Sequence, residues 1–181
     1  MSRIGKLPIS IPAGVTAEVN GNVVKVTGPK GTLTQEVSNN VSVEVKENEI
    51  YVTRKDELTD SNVKQGLYRQ LIHNMVVGVK DGFSKSLTVN GVGYKLSKQG
   101  NKLVMGLGLS HPVEFEEIAG ITLECPDNNT IIVKGADKQL VGAIAAKIRA
   151  LRPVEPYHGY GIHYSDERVI LKPGKAAAKK A

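Results

Sequence analysis

Twice along this sequence, a run of short segments with two-residue apolar alternation gives way to a single stripe with four-residue spacing. In the first pass Val15, Ala17 and Val19 alternate with Thr16 and Glu18, and Val41, Val43 and Val45 alternate with Ser42, Glu44 and Lys46. Val63, Leu67, Leu71 and Met75 then recur along one stripe. In the second pass Leu87 and Val89, Tyr94 to Leu96, Leu103 to Leu107, Val113 and Phe115, Ile121 to Cys125 and Ile131 to Gly135 come before Leu140, Ile144, Ile148 and Leu151. Alternation sends neighbouring side chains to opposite faces of a strand, whereas the longer spacing gathers them on one face of a helix. A sheet with one apolar face needs a cover, and the stripe after each run supplies it. The pattern predicts an α+β fold of two tandem duplicated domains, each an antiparallel sheet packed on one helix. The boundaries read as an N-terminal domain over 1–82, a C-terminal repeat over 83–152, and a basic tail over 153–181.

Turn chemistry fixes the details. Pro8 to Pro12 reads as an extended edge strand, and Asn20-Gly21 as a hairpin whose turn positions favour positive φ. Gly28-Pro29-Lys30-Gly31 is a second turn. Thr59 or Asp60 is placed to cap a first helix of about 15 residues that ends near Gly78, and Asp137 caps a second that Pro153 stops. The duplication has no unique register, because Gly120 to Gly135 resembles Gly14 to Gly28 as well as the hairpin from Val41 to Arg54.

Charge is distributed far less evenly than apolar residues. From Lys147 to Ala181, eight lysines and arginines face three carboxylates, a surplus of five in a chain whose net charge is +6. The same stretch holds Tyr157, Tyr160 and Tyr164, half of the six tyrosines, with His158 and His163 among them. Cations interleaved with rings and glycines suit a nucleic acid: cations neutralise phosphates, rings stack on bases, and glycines admit a close backbone. At 100° per residue, Lys138, Arg149 and Arg152 fall on the side of the second helix away from its apolar stripe, with Lys147 at the border. Lys138, Arg149, Arg152, Arg168, Lys172 and Lys175 are therefore candidates to bind nucleic-acid phosphates. Tyr157, His158, Tyr160, His163 and Tyr164 are candidates to pack on riboses or bases, and Gly159 and Gly161 to let the backbone approach. Lys95, Ser110 and His111 form a weaker second patch in the same domain, where His111 reads equally as structural or RNA-facing. The competing readings are a solvated basic tail, and a duplicated protein–protein adaptor whose tail docks on an acidic partner.

Catalytic patterns are missing. The sequence has no zinc-ligand spacing, no His-Glu-x-x-His and no nucleophile elbow. Gly91-Val-Gly-Tyr and Gly159-Tyr-Gly-Ile each lack the third glycine of a dinucleotide fingerprint. Glu114, Glu116 and Glu117 read as solvated surface sooner than as a metal site. The single Cys125 reads as a buried thiol in a reducing compartment. Apolar runs such as Leu140 to Ala146 fall far short of the roughly 20 residues that a bilayer requires. No signal-peptide core follows Arg3 and Lys6. The expectation is a cytoplasmic protein with no cofactor, no metal, no membrane contact and no small-molecule substrate.

The run Pro153-Val-Glu-Pro-Tyr-His-Gly-Tyr-Gly-Ile-His-Tyr resembles the C-terminal signature of the family of the sixth protein of the large ribosomal subunit, in its bacterial form. The likeness extends through Ser2-Arg-Ile-Gly-Lys, Pro8-Ile-Ser-Ile-Pro, Gly28-Pro-Lys-Gly, Asn90-Gly-Val-Gly-Tyr, Ser110-His-Pro-Val and Lys138-Gln-Leu-Val-Gly, in order along the chain. The resemblance implies a structural, non-enzymatic protein whose second domain and tail bind 23S rRNA. It also implies a place near the base of the stalk and the sarcin–ricin loop, beside neighbouring large-subunit proteins and close to docking translational GTPases. In the family the signature usually reads Tyr-Lys-Gly-Lys-Gly-Ile-Arg-Tyr. Here His158, Tyr160 and His163 occupy its basic positions, so hydrogen bonding and stacking stand in for three fixed charges.

Overall fold

The computed structural model describes residues 3–175, which leaves Lys179 and Lys180 outside the described residues. The described residues form two compact units. One is residues 3–83 together with Gly135–Lys138, and the other is 84–134 with 139–175.

The first unit runs β1 (Ile9–Ser10), β2 (Thr16–Asn20), β3 (Val23–Gly28), β4 (Gly31–Glu36), β5 (Val41–Lys46), β6 (Glu49–Arg54) and α1 (Thr59–Lys80). Its strands make two three-stranded antiparallel sheets, ordered β1-β6-β5 and β2-β3-β4, where the alternation suggested one. The β2–β3 hairpin pairs Asn20 with Val23, so Gly21 and Asn22 form the turn, with φ of 61° at Gly21. Only the first turn position takes positive φ, which places the turn one residue beyond the expected Asn20-Gly21. Alternation then places the core: Val24 and Val26 of β3 and Ile50 and Val52 of β6 are buried against Ile72, Met75, Val76 and Val79 of α1.

Helix α1 departs from its expected orientation. Val63 and Leu67 of the predicted inner stripe are 65% and 52% exposed, and the buried face is Ser61, Gln65, Ile72, Met75, Val76 and Val79. Polar anchoring sets this rotation. Gln65 Nε2 donates to the Gly5 carbonyl (3.2 Å) and the Val52 carbonyl (2.9 Å), and Arg69 donates to the carbonyls of Leu7 and Pro8 (3.2 Å each). A glutamine bonded to two carbonyls must face them, and Val63, about 200° away on the helix, must then face outward. The helix is also longer, at 22 residues, and Leu58 occupies its N-cap. The Leu58 N–H donates to Asp56 Oδ1 (3.2 Å), so Thr59 and Asp60 lie inside the first turn, where Asp60 pairs with Lys64 at 2.6 Å. Gly78 sits within the helix because a Cβ there would lie 2.0 Å from the Ala136 carbonyl oxygen.

The second unit runs β7 (Phe83–Asn90), β8 (Lys95–Gln99), β9 (Lys102–Gly106), β10 (Val113–Glu116), β11 (Ile121–Asp127), β12 (Thr130–Gly135), α2 (Lys138–Leu151) and β13 (Gly161–Tyr164). Its sheets are ordered β10-β9-β8 and β11-β12-β7-β13. Val141, Ile144, Ala145 and Ile148 are the buried side of α2, with Leu140 and Leu151 half-buried at its ends. The addition over the first unit is β13. It comes from the stretch expected as tail and pairs antiparallel with β7, from Gly161↔Asn90 to Tyr164↔Leu87.

Two glycine substitutions check the packing. Gly78→Ala must move the Ala136 backbone and is expected to lower the unfolding free energy by about 1–3 kcal/mol. Gly142→Ala on α2 meets nothing within 4 Å. It should leave stability unchanged or raise it by up to about 1 kcal/mol. Urea midpoints of the two variants that moved in the same direction would contradict the close approach at Gly78.

Candidate nucleic-acid interface

The segment after α2 is folded onto the second unit through its own backbone. The Ile162 N–H donates to the Arg152 carbonyl (2.8 Å), closing a loop within which the Glu155 N–H donates to the Tyr160 carbonyl (2.9 Å). The Lys172 N–H returns to the Pro156 carbonyl (2.7 Å) and folds the later residues back over the same loop. Gly161 adopts φ of 142°, and a Cβ there would stand 2.6 Å from Val154 Cα and 2.7 Å from the Pro153 oxygen. Gly159, at φ 75°, has Leu171 Cδ2 at 3.4 Å from the same construction. Both glycines are buried. The freedom expected to admit a ligand backbone is used by the chain's own.

The rings divide into two groups. Tyr157 and Tyr160 are exposed, and His158 stacks on Tyr160 with centroids 5.3 Å apart and 16° between planes. His158 Nδ1 lies 2.9 Å from Glu155 Oε1. These rings are open to an incoming base. His163 and Tyr164, in β13, are half-buried. The Tyr164 ring lies between two cations, with Lys85 Nζ at 4.9 Å and Arg149 Cζ at 5.5 Å from its centroid. His163 Nδ1 is buried with no hydrogen-bond partner among the described residues. As neighbours in one strand the two rings leave opposite faces of the sheet, each of them half-buried.

The cations divide as well. Arg149 Nε donates to Glu167 Oε2 (2.9 Å) while its Nη2 donates to Oε1, a two-pronged charge-assisted pair. Lys85 Nζ binds both oxygens of Asp166, at 3.1 and 2.8 Å. Hydrogen bonds from Arg149 and from the Tyr164 N–H hold the Glu167 carboxyl below its ordinary range; Lys85 and a backbone N–H do the same for Asp166. The bond to Glu167 raises the Arg149 guanidinium in turn. Lys147, Arg168, Lys172 and Lys175 are exposed and make no ion pair among the described residues. Of the three carboxylates in 147–175, Asp166 is ion-paired with Lys85 and Glu167 with Arg149, while Glu155 lies within hydrogen-bond distance of the His158 ring.

Tyr94, absent from the residues that the sequence put forward as a site, ties the second patch to this segment. Its ring fills the space a Cβ would take at Gly91 (2.4 Å) and crowds Gly108 (3.1 Å), and its hydroxyl accepts from Arg152 Nε at 3.2 Å. The loop carrying exposed Ser110 and His111, exposed Lys95 and the end of α2 thus meet around one phenol. The signal was the Gly91-Val-Gly-Tyr run, which made sense as packing once it failed as a nucleotide motif. Lys138 falls elsewhere: it groups with the first unit, where its Nζ lies 5.5 Å from the Phe83 ring.

Glu114 and Glu116 pair with Lys102, and Glu117 binds Lys98 Nζ and the Leu123 N–H. Among the described residues no cluster of His, Cys, Asp or Glu is placed to hold a metal ion, and no helix is long and apolar enough to cross a membrane. Cys125 is half-buried, and burial pushes its thiol up, away from the reactive thiolate.

A family profile described as Ribosomal protein L6 matches residues 11–82 and 90–165. The chain is 57% identical to the large ribosomal subunit protein uL6 of Desulfitobacterium hafniense strain Y51, over 99% of this chain and 98% of the relative. It is 54% identical to the uL6 of Clostridioides difficile strain 630, over 99% of this chain and all of the relative. Identity to the uL6 of Caldicellulosiruptor saccharolyticus is 52%, over 97% of each.

The engaged carboxylates carry a pH signature. A depressed carboxyl adds stability that is present above its unfolded value and lost as pH falls through the folded one. Carboxyl-carbon NMR titration should therefore place the Asp166 and Glu167 midpoints below the ordinary values of about 3.9 and 4.3. Midpoints at or above those values would remove the ion pairs from the account.

Proposed function

The chain belongs to the ribosomal protein L6 family, and from that premise we propose that its second unit and C-terminal segment hold 23S rRNA within the large ribosomal subunit. Its role is structural, as a constituent of the subunit. The observation that carries the RNA-binding part is the charge balance of 147–175, where Asp166 and Glu167 are ion-paired and Lys147, Arg168, Lys172 and Lys175 make no ion pair among the described residues, in the same stretch as Tyr157 and the stacked His158–Tyr160 pair. Unpaired cations on a folded base release counterions from a phosphate backbone, and neighbouring exposed rings accept unstacked bases. Arg152, held by Tyr94, and the exposed Lys95, Ser110 and His111 of the same unit supply the second contact. The first unit, with ten lysines and arginines against nine carboxylates over 1–82, presents a mixed surface that a polyanion has no reason to prefer.

The reading includes a location, near the base of the stalk and the sarcin–ricin loop, where translational GTPases dock and other large-subunit proteins lie close. What supports it is the family resemblance.

Salt titration tests the assignment. In the full chain, Arg168→Gln, Lys172→Gln and Lys175→Gln together should lower the slope of log affinity for 23S rRNA against log salt by roughly 2. Lys25→Gln, Lys55→Gln and Lys80→Gln in the first unit should leave the slope where it was. Equal losses from the two triples would overturn the assignment, and tighter binding to an acidic protein than to rRNA would favour an adaptor.

A further inference from the structure

The pair Asp166–Glu167 is an anomaly under the reading just given. Two adjacent carboxylates stand immediately before Arg168, inside the segment that is to meet phosphate. Left free, they would repel it.

Both are instead bound to cations on regular elements, Asp166 to Lys85 of β7 and Glu167 to the fork of Arg149 on α2. Further hydrogen bonds complete the turn. The Ser165 N–H donates to the Ser86 carbonyl (3.0 Å), the Glu167 N–H to the Tyr164 carbonyl (2.9 Å) and the Tyr164 N–H to Glu167 Oε2 (3.2 Å). Thr88 Oγ1 and Ser165 Oγ lie 3.2 Å apart. The Tyr164 ring is held between the same two cations. The chain is therefore fixed at 164–167 and presents its next side chain, Arg168, exposed and with no ion pair among the described residues.

We propose that Asp166 and Glu167, gripped by Lys85 and Arg149, are a positioning device that sets the point and direction from which Arg168, Lys172 and Lys175 enter the rRNA. This makes Arg149 a positioning residue and not a phosphate contact, and it rests on the rRNA reading above. Residues already held in place lose less freedom on binding than residues that must be ordered. A two-pronged guanidinium–carboxylate pair holds a turn as a lysine point charge cannot.

The device reverses the sign expected from charge alone. Glu167→Gln removes a negative charge from a phosphate-binding segment, so simple electrostatics predicts tighter binding, whereas loss of positioning predicts about 2- to 10-fold weaker binding. Arg149→Lys keeps the charge and loses the fork, and it should weaken binding comparably. The exchange Arg149→Glu with Glu167→Arg should recover most of the affinity that either half of it loses alone.

The test uses the full chain and two readouts. The first is affinity for 23S rRNA of the wild type, Glu167→Gln, Arg149→Lys and the exchanged pair. The second, made without RNA, is hydrogen exchange at the Ser165, Glu167 and Lys172 amides, with Leu103 in the β9 core as reference. The proposal expects Glu167→Gln to speed exchange at those three amides while Leu103 keeps its rate and the melting temperature falls by no more than about 2–4 °C. Tighter rRNA binding by Glu167→Gln, or exchange unaltered by it, would overturn the device. If a variant lowers the melting temperature further, the exchanged pair decides, since recovery requires the contact itself. A wild-type chain that ignores rRNA would defeat the reading of function, while the exchange rates would still report on the clamp.

Discussion

A cationic segment with few aliphatic side chains has little reason to fold, because its charges repel and its burial is small. Here the constraint is met by backbone pairing. The four residues of β13 continue the edge of the β11-β12-β7 sheet and place Ile162 fully in the core. Paired N–H and C=O groups can be buried where unpaired ones cannot. The other features of the segment depend on this ladder. It turns Tyr164 between Lys85 and Arg149, brings Glu167 to the arginine fork, and presses Gly161 onto Pro153 and Val154.

Much of the fold was legible because alternation and turns are local. Val24 and Val26 against Lys25 and Thr27 declare which face is wet, and the glycine at 21 declares a hairpin to within one residue. Legibility failed where distant groups decide. No pattern in α1 announces that Gln65 will face the carbonyls of Gly5 and Val52, yet that choice rotates the helix and leaves Val63 and Leu67 outside the core. The strand at 161–164 was hidden for a related reason. Gly-Ile-His-Tyr holds one aliphatic residue, so its chemistry suggested a ligand surface while its pairing with Leu87 to Asn90 is tertiary.

The candidate site was legible in composition and not in assignment. The surplus of cations and rings after Lys147 is visible in the sequence, but which of them are available is a matter of partners. Arg149 and Tyr164 are engaged with the protein, His163 is half-buried in β13, and Gly159 and Gly161 are filled by neighbouring chain. Tyr157, His158, Tyr160, Arg168, Lys172 and Lys175 remain outward. The three carboxylates, counted in the sequence as a subtraction from the charge, serve in the structure to hold it in place. A positive field spread over a mobile tail and the same field on a fixed turn are different binding surfaces, and only the second gives register on a folded RNA.

The most direct measurement is residue-level mapping of protein–RNA crosslinks in intact large subunits that contain this chain. The account predicts crosslinks concentrated at Tyr157, His158 and Tyr160 and at Arg168, Lys172 and Lys175, with a second set near Arg152 and His111. Crosslinks concentrated in the first unit, with residues 147–175 silent, would contradict it.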